Sequence, residues 1–301
     1  MPPDEQLLQD IAIELGVDPA FIEKDWYAIQ VLAAIAGIEP EQIAPVFCGG
    51  TCLSKAHGLL KRFSEDLDFR GHFQSGKAPS KPVRRRFRES VLSAVEAVEG
   101  VALDRDQVES GSSYFKFQLR YQRVFDAPGG LRPHLQVEFS YTQPKGNTET
   151  RSVQSFVAEF SGAMPEAEIP CLLPLETAAD KLCALTWRVI KRDRTHESDD
   201  PALIRHLHDL GALHPAILSG KELFAETARA AYSIDMQSGP RKMEHDLPTA
   251  ARHALEILRS DAEYAVEYQQ FVMNMSYAKD DEVIDFPAAM SRLEDIVSVV
   301  V

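Results

Sequence analysis

The chain has few cysteines: Cys48, Cys52, Cys171 and Cys183 are the four among 301 residues, and none forms a Cys-x-x-Cys pair. A disulfide-stapled scaffold and a cysteine-rich zinc module are thereby excluded. Long apolar runs are also missing. The longest, Val31 to Ile38, is far shorter than the roughly 20 residues that span a bilayer. Positive charge is in deficit, with 32 Lys and Arg against 46 Asp and Glu and a net charge of −14. A uniformly basic coat for nucleic acid is excluded, so phosphate recognition has to come from local patches. There is no internal repeat and no low-complexity tract. The first residues, MPPDEQLLQD, lack the basic, apolar and small-residue order of a secretory leader. The expectation is a soluble, cytoplasmic protein with reduced thiols and no membrane partner.

What is present is ordinary globular composition, 45% hydrophobic and 26% charged. The length suits one large domain or two of about 150 residues. Apolar spacing predicts helices over 4–15 and 19–37; in the second, Ile22, Trp26, Ile29, Leu32 and Ile35 form one stripe behind an Asp18-Pro19 start. The pair has the outline of a helix-turn-helix. The acids Asp18, Glu23 and Asp25 around the second helix favour a plain hairpin over DNA readout. Strands are expected at 44–48, 65–69, 114–121, 135–139 and 169–175, and helices at 51–60 and 82–98. Residues 143–151 read as a polar connection. From Glu176 onward helical periodicity dominates, over 176–191, 202–210, 221–232, 248–273 and 286–299, with breaks at Gly211, Gly220 and around 237–246. The fold class is therefore α/β (α+β): a mixed sheet flanked by helices over 1–175, followed by an α-helical half over 176–301.

The stretch that carries chemistry is Val46 to Arg70, VFCGGTCLSKAHGLLKRFSEDLDFR. A strand runs into Gly49-Gly50-Thr51, a helix follows, and the next strand carries Asp66-Leu67-Asp68. Glycines at a strand-to-helix turn let the backbone approach a phosphate, and the helix start presents free N–H groups. Residues i and i+2 of a strand share a face, so Asp66 and Asp68 point the same way. Two convergent carboxylates suit a hard cation such as Mg²⁺ (or Mn²⁺) when nucleotide phosphates supply its remaining ligands. Asp-x-Asp alone says little, because Asp104-Arg105-Asp106 repeats it with no glycine turn ahead of it. Here Leu67 and Phe69 make the opposite face apolar, which places the strand inside a sheet.

This signature, Gly49-Gly50-Thr51, Leu53-Ser54-Lys55, Arg62 and Ser64 to Phe69, resembles that of the AbiEii/AbiGii-type nucleotidyltransferase toxins, the type IV toxin–antitoxin group with MenT-like members. Ile22-Glu23-Lys24-Asp25-Trp26 is similar to the family's N-terminal segment. Leu175 to Leu185 resembles its downstream LExxAxKLxAL helix, and Arg205 to Leu210 its RDxxDL element, with His206 in place of the family's acid. The resemblance covers roughly residues 10–211. It implies a nucleotidyltransferase core over 1–175, with the triphosphate held by Gly50 and Thr51 and the wider Gly49, Ser54, Lys55, Arg62 and Ser64 signature. Magnesium would sit on Asp66 and Asp68. Lys181 would be the essential lysine contacting nucleotide phosphate, and Asp209 the last acid of the pattern.

Glu138, in the alternating strand HLQVEF, is the candidate third carboxylate; an ordinary outward-facing acid is the alternative. Lys181 flanks its helix's buried stripe, so from spacing alone it also reads as a solvated lysine. Arg62 reads either as a phosphate partner or as a surface charge. Lys81, Arg84, Arg85, Arg86 and Arg88 concentrate five cations in eight residues, either a landing place for an RNA backbone or a solvated helix face. His206, His208 and His214 lack the spacing of a zinc site. The expected function is a Mg²⁺-dependent enzyme that transfers NMP from an NTP to a macromolecular acceptor. The resemblance implies a toxin–antitoxin or phage-defence system, a cognate antitoxin from a neighbouring gene, and tRNA 3′ ends as first acceptor, ahead of protein side chains. An Asp-x-Asp glycosyltransferase and a non-catalytic nucleotide-binding module are the rival readings.

Overall fold

A computed structural model describes residues 2–128, 130–197, 199–237, 239 and 241–301. The chain divides into two compact units, one of Met1–Gly58 with Phe63–Leu172, the other of Leu59–Arg62 with Leu173–Val301.

The first unit opens with helices α1 (Glu5–Leu15) and α2 (Pro19–Ala36). The Asp4 carboxylate accepts from the Leu7 N–H, and the Asp18 carboxylate from the Ala20 N–H. Each satisfies a backbone donor that a helix start leaves without a partner. The stripe of α2 is buried as its spacing requires, and so, against expectation for charged residues, are Glu23 and Lys24. Then follow β1 (Ile43–Cys48), α3 (Gly49–Lys55), β2 (Asp66–Phe73), α4 (Lys81–Glu96), β3 (Val101–Leu103), β4 (Glu109–Ser110), β5 (Tyr114–Tyr121), β6 (Leu135–Ser140), β7 (Thr148–Val153), α5 (Phe156–Ser161) and β8 (Ala167–Leu172).

The strands form one mixed sheet in the order β3-β5-β6-β2-β1-β8-β7, with β4 on β5. The β2–β6 and β1–β8 pairs are parallel and the others antiparallel. Its core face carries a run of stacked rings across three neighbouring strands: Phe69 to Phe139 at 4.6 Å and Phe139 to Phe115 at 4.8 Å between centroids. Phe87 of α4 meets Phe139 edge-on. Because every second residue of β2 and β6 is committed to this core, the alternate residues are held on the opposite face.

Some expectations shift. The helix foreseen to residue 60 ends at Lys55, and Gly58 turns the chain with φ +64°. Residues 143–151 contain the start of β7, an edge strand whose first five residues are exposed, so no apolar alternation marked it.

The second unit contains α6 (Pro174–Ile190), α7 (Arg205–Ser219), α8 (Lys221–Asp235), α9 (Leu247–Ser260), α10 (Glu263–Met275) and α11 (Phe286–Val300). The single helix expected over 248–273 is two. Asp261 is extended between them, and its carboxylate accepts from the Glu263 N–H at 3.0 Å. Gly211, expected as a break, lies inside α7; a Cβ there would stand 3.5 Å from Ile284 and 3.7 Å from the Ala289 backbone. A small residue at that position lets α7 and α11 approach, which is a packing role rather than a helix stop. No helix among the described residues is long and apolar enough to cross a membrane.

Candidate active site

In the first unit, Cys48 ends β1 in an extended conformation and Gly49 enters α3 with φ +78°. The β1–β2 register sets Cys48 opposite Asp68. A Cβ on Gly49 would fall 2.2 Å from Asp68 Oδ2 and 2.9 Å from its Cβ. Two independent constraints therefore demand glycine, the left-handed backbone and the carboxylate lying against it. Gly50 and Thr51 are buried at the start of α3, and the Thr51 hydroxyl donates to the Asp66 carbonyl at 2.5 Å. The glycine turn is thus tied directly to the strand bearing the acids.

Leu67 and Phe69 are buried, which puts Asp66 and Asp68 together on the other, partly open face of the sheet. Parallel pairing with β6 sets Asp66 beside Gln136 and Asp68 beside Glu138. Glu138 is half-buried, between buried Val137 and Phe139. Gly49, Gly50, Thr51, Asp66, Asp68 and Glu138 are accordingly assembled around the same edge of β1, β2 and β6.

Asp66 already carries a cation. Arg132 Nη2 donates to its Oδ1 at 2.6 Å, while the Arg132 backbone N–H donates to Glu65 Oε1 at 2.7 Å. Lys24 Nζ completes the network, at 2.7 Å from Glu65 Oε1 and 2.8 Å from the Arg132 carbonyl. Burial pushes the Glu65 carboxyl up, but Lys24 and Arg132 outweigh it and hold the group below its ordinary value. Arg132 escaped the reading of the sequence because it stands alone in a loop with no motif around it. Lys24 was within the recognised Ile22–Trp26 segment, without a role.

Other signature residues have different surroundings. Lys55 Nζ lies 2.9 Å from Asp25 Oδ1, with both side chains more than nine-tenths buried, and 3.6 Å from the centre of the Phe156 ring. Asp25 also accepts from the Phe156 N–H at 2.8 Å. Burial raises the Asp25 carboxyl, against the pull of Lys55. In this structure Lys55 ties α3 to α2 and α5. Ser54 and Ser64 are half-buried, on α3 and just ahead of β2.

Lys181, Asp209 and Arg62 belong to the second unit. Arg62 Nε and Nη2 donate to Asp209 Oδ1 and Oδ2, both at 2.6 Å, and Lys181 Nζ lies 2.6 Å from Oδ2. Asp209 is fully buried, and burial alone would raise its carboxyl. Arg62 and Lys181 reverse that and hold it well below the usual carboxylate range. Neither Arg62 nor Lys181 is the surface charge that spacing alone allowed. Of the five cations of α4, Lys81, Arg85 and Arg86 are exposed, while Arg84 and Arg88 are half-buried beside the stripe of Phe87, Val91, Leu92 and Val95, with Arg84 over the Tyr141 ring.

The donor set of Asp66 and Asp68 fits a hard divalent cation: two carboxylates on one strand face, beside a glycine cradle that a single methyl would fill. Among the described residues no group of three or more His, Cys, Asp or Glu side chains is gathered as a metal site. A cation on the two acids would therefore draw further ligands from bound phosphate or water.

The chain shares its fold with the nucleotidyltransferase toxin MenT4 from Mycobacterium tuberculosis H37Rv: TM-score 0.56 at 19% identity, over 97% of this chain and 98% of that one. No curated protein matches it in sequence. The family model described as nucleotidyl transferase AbiEii toxin, type IV TA system, matches residues 30–295. With its strand, glycine turn and acid-bearing strand in place, the chain belongs to the AbiEii family of nucleotidyltransferase toxins.

Proposed function

We propose that this enzyme transfers NMP from a Mg²⁺-bound (or Mn²⁺-bound) NTP to the 3′ end of tRNA, in the cytoplasm. It would act as the toxin of a phage-defence module and be restrained by a cognate antitoxin. The family itself carries the coarser statement, a nucleotidyltransferase with an NTP substrate and an antitoxin partner.

The observation that supports the site assignment is the contact of Gly49 with Asp68. It brings the phosphate-approaching turn and a cation-binding carboxylate within a single van der Waals contact, as a metal–triphosphate complex requires. In this reading Asp66 and Asp68 hold the cation, which when bound offsets triphosphate charge. The N–H groups of Gly50 and Thr51 receive phosphate oxygens, and Glu138 stands beside Asp68 as the third carboxylate. Ser54 and Ser64 contribute hydroxyls to the same signature, and Lys181 is the proposed phosphate contact in the helical unit. The acceptor hydroxyl attacks the α-phosphorus in line; its bond to phosphorus forms as the bond to pyrophosphate breaks, so positioning does most of the work. Buried Cys52 and Cys171, both free thiols, support a reducing location.

The test incubates the enzyme with each labelled NTP and either total tRNA or total protein. Label on tRNA that is lost with Asp68→Ala is the expected result. Label on protein alone would overturn the acceptor, and no label from any NTP would overturn the site assignment.

A further inference from the structure

The first turn of α7 and the end of α6 gather positive charge around a histidine whose ring nitrogens have no hydrogen-bond partner among the described residues. Arg188 Nη1 and Arg205 Nη1 share one acceptor, Asp200 Oδ2, at 3.0 and 3.2 Å. Arg188 Cζ lies over Trp187, 4.9 Å from the ring centre, and its buried Nε has no partner among the described residues. His206 follows Arg205 in the chain, and both its ring nitrogens are buried and unpartnered among those residues.

Three cations, Lys181, Arg205 and Arg188, act on His206 against one acid, Asp209. Of the acids, Asp209 is occupied by Arg62 and Lys181, which leaves Asp200 for two guanidinium groups. Buried polar groups in folded proteins are normally paired, and the Arg188 Nε–H and the N–H of a neutral His206 ring are two buried donors that call for an acceptor from outside the chain. The acceptor should be anionic and carry several oxygens, because forked guanidinium donors match phosphate geometry. Arg188 and Arg205 each keep about a third of their side chain exposed, 31% and 30%, so a ligand reaches them from solvent.

We propose that Arg188, Arg205 and His206 form a phosphate-binding site on the helical unit. Arg188 Nε and a ring nitrogen of His206 engage phosphate oxygens, and Arg205 supplies charge at the rim. The phosphate belongs either to a free nucleotide or to an RNA backbone, and the site holds for either acceptor of the transfer reaction.

The full chain, carrying ¹⁵N-labelled histidine and assigned through bonds, is titrated with inorganic phosphate against sodium chloride of matched ionic strength. A saturable shift of the His206 ring nitrogens with phosphate and not chloride is expected. Arg205→Gln should weaken it on the order of tenfold, as befits one lost charge-assisted contact. Titration with NTP and with a short single-stranded RNA then names the source, since the true ligand saturates the same resonance. An unmoved His206 resonance, or equal affinity in Arg205→Gln and the unaltered chain, overturns the site. Transfer activity enters none of these readings, so they stand or fall apart from the acceptor assignment.

Discussion

The α-carbon of Gly49 faces the Asp68 carboxylate so closely that an added methyl would come within 2.2 Å of Oδ2. Backbone and site chemistry are coupled at that point: the turn that opens α3 exists in this form only if Asp68 has room. Gly49→Ala should therefore cost about 1–2 kcal/mol through its φ of +78° and displace Asp68 as well. The expected outcome is a modestly lowered melting temperature with NMP transfer lost out of proportion. Full activity in Gly49→Ala would show that the carboxylate is not needed where it lies.

Asp66→Ala and Asp68→Ala should each abolish transfer while the fold persists, because both side chains stand on the partly open face of β2. The Asp66 variant also releases Arg132 from its 2.6 Å contact, a partly exposed pair, so its melting temperature should fall only slightly. Labelled NMP incorporation and thermal melting separate the two effects.

NTP binding should depend on Mg²⁺ or Mn²⁺, since Asp66, Asp68 and Glu138 would by themselves repel a triphosphate. Calorimetry with and without EDTA reads this directly. Equal affinity in both conditions would place the phosphates away from these acids.

Asp209→Asn leaves Arg62 and Lys181 buried without their counter-charge, an outcome that costs about 3–5 kcal/mol for buried pairs. Its pH signature follows from the depressed carboxyl. An acid held below its ordinary value near 3.8 stabilises the fold fully above that pH, and the contribution is lost as pH falls from there toward the folded-state value. Urea unfolding at neutral pH and below pH 4 should show the gap between wild type and Asp209→Asn narrowing in acid. A gap that widens on acidification would contradict the pairing.

Reversal of Arg84, Arg85 and Arg86 to Glu should raise the apparent KM for tRNA and flatten its salt dependence, with NTP affinity nearly constant. Arg85 and Arg86 are exposed whereas Arg84 is half-buried over the Tyr141 ring, so thermal melting of the triple variant serves as the fold control. An unchanged KM and salt slope would make them ordinary solvated charges.

Much of this was legible without coordinates. A strand ending in two glycines, a short helix, and Asp66 and Asp68 flanked by apolar residues are local patterns. Period-2 alternation placed both acids on one face before any fold was known. The family model over 30–295 then agrees with the resemblance carried by the same residues. Where local pattern was silent, expectation and structure parted. β7 is exposed along most of its length and shows no alternation, and the α9–α10 break turns on one extended residue, Asp261.

The amino-acid sequence by itself determined the glycine turn, the paired acids, the helical stripes and the family, because each is written in residues a few positions apart. Tertiary structure alone decided which charge meets which. Arg132 reaches Asp66 across 66 positions, Lys55 reaches Asp25 across 30, and Arg62 grips Asp209 across 147. No periodicity encodes such pairs. A charged side chain is soluble in either setting, and only when packing removes water from around it does the fold have to supply an opposite charge.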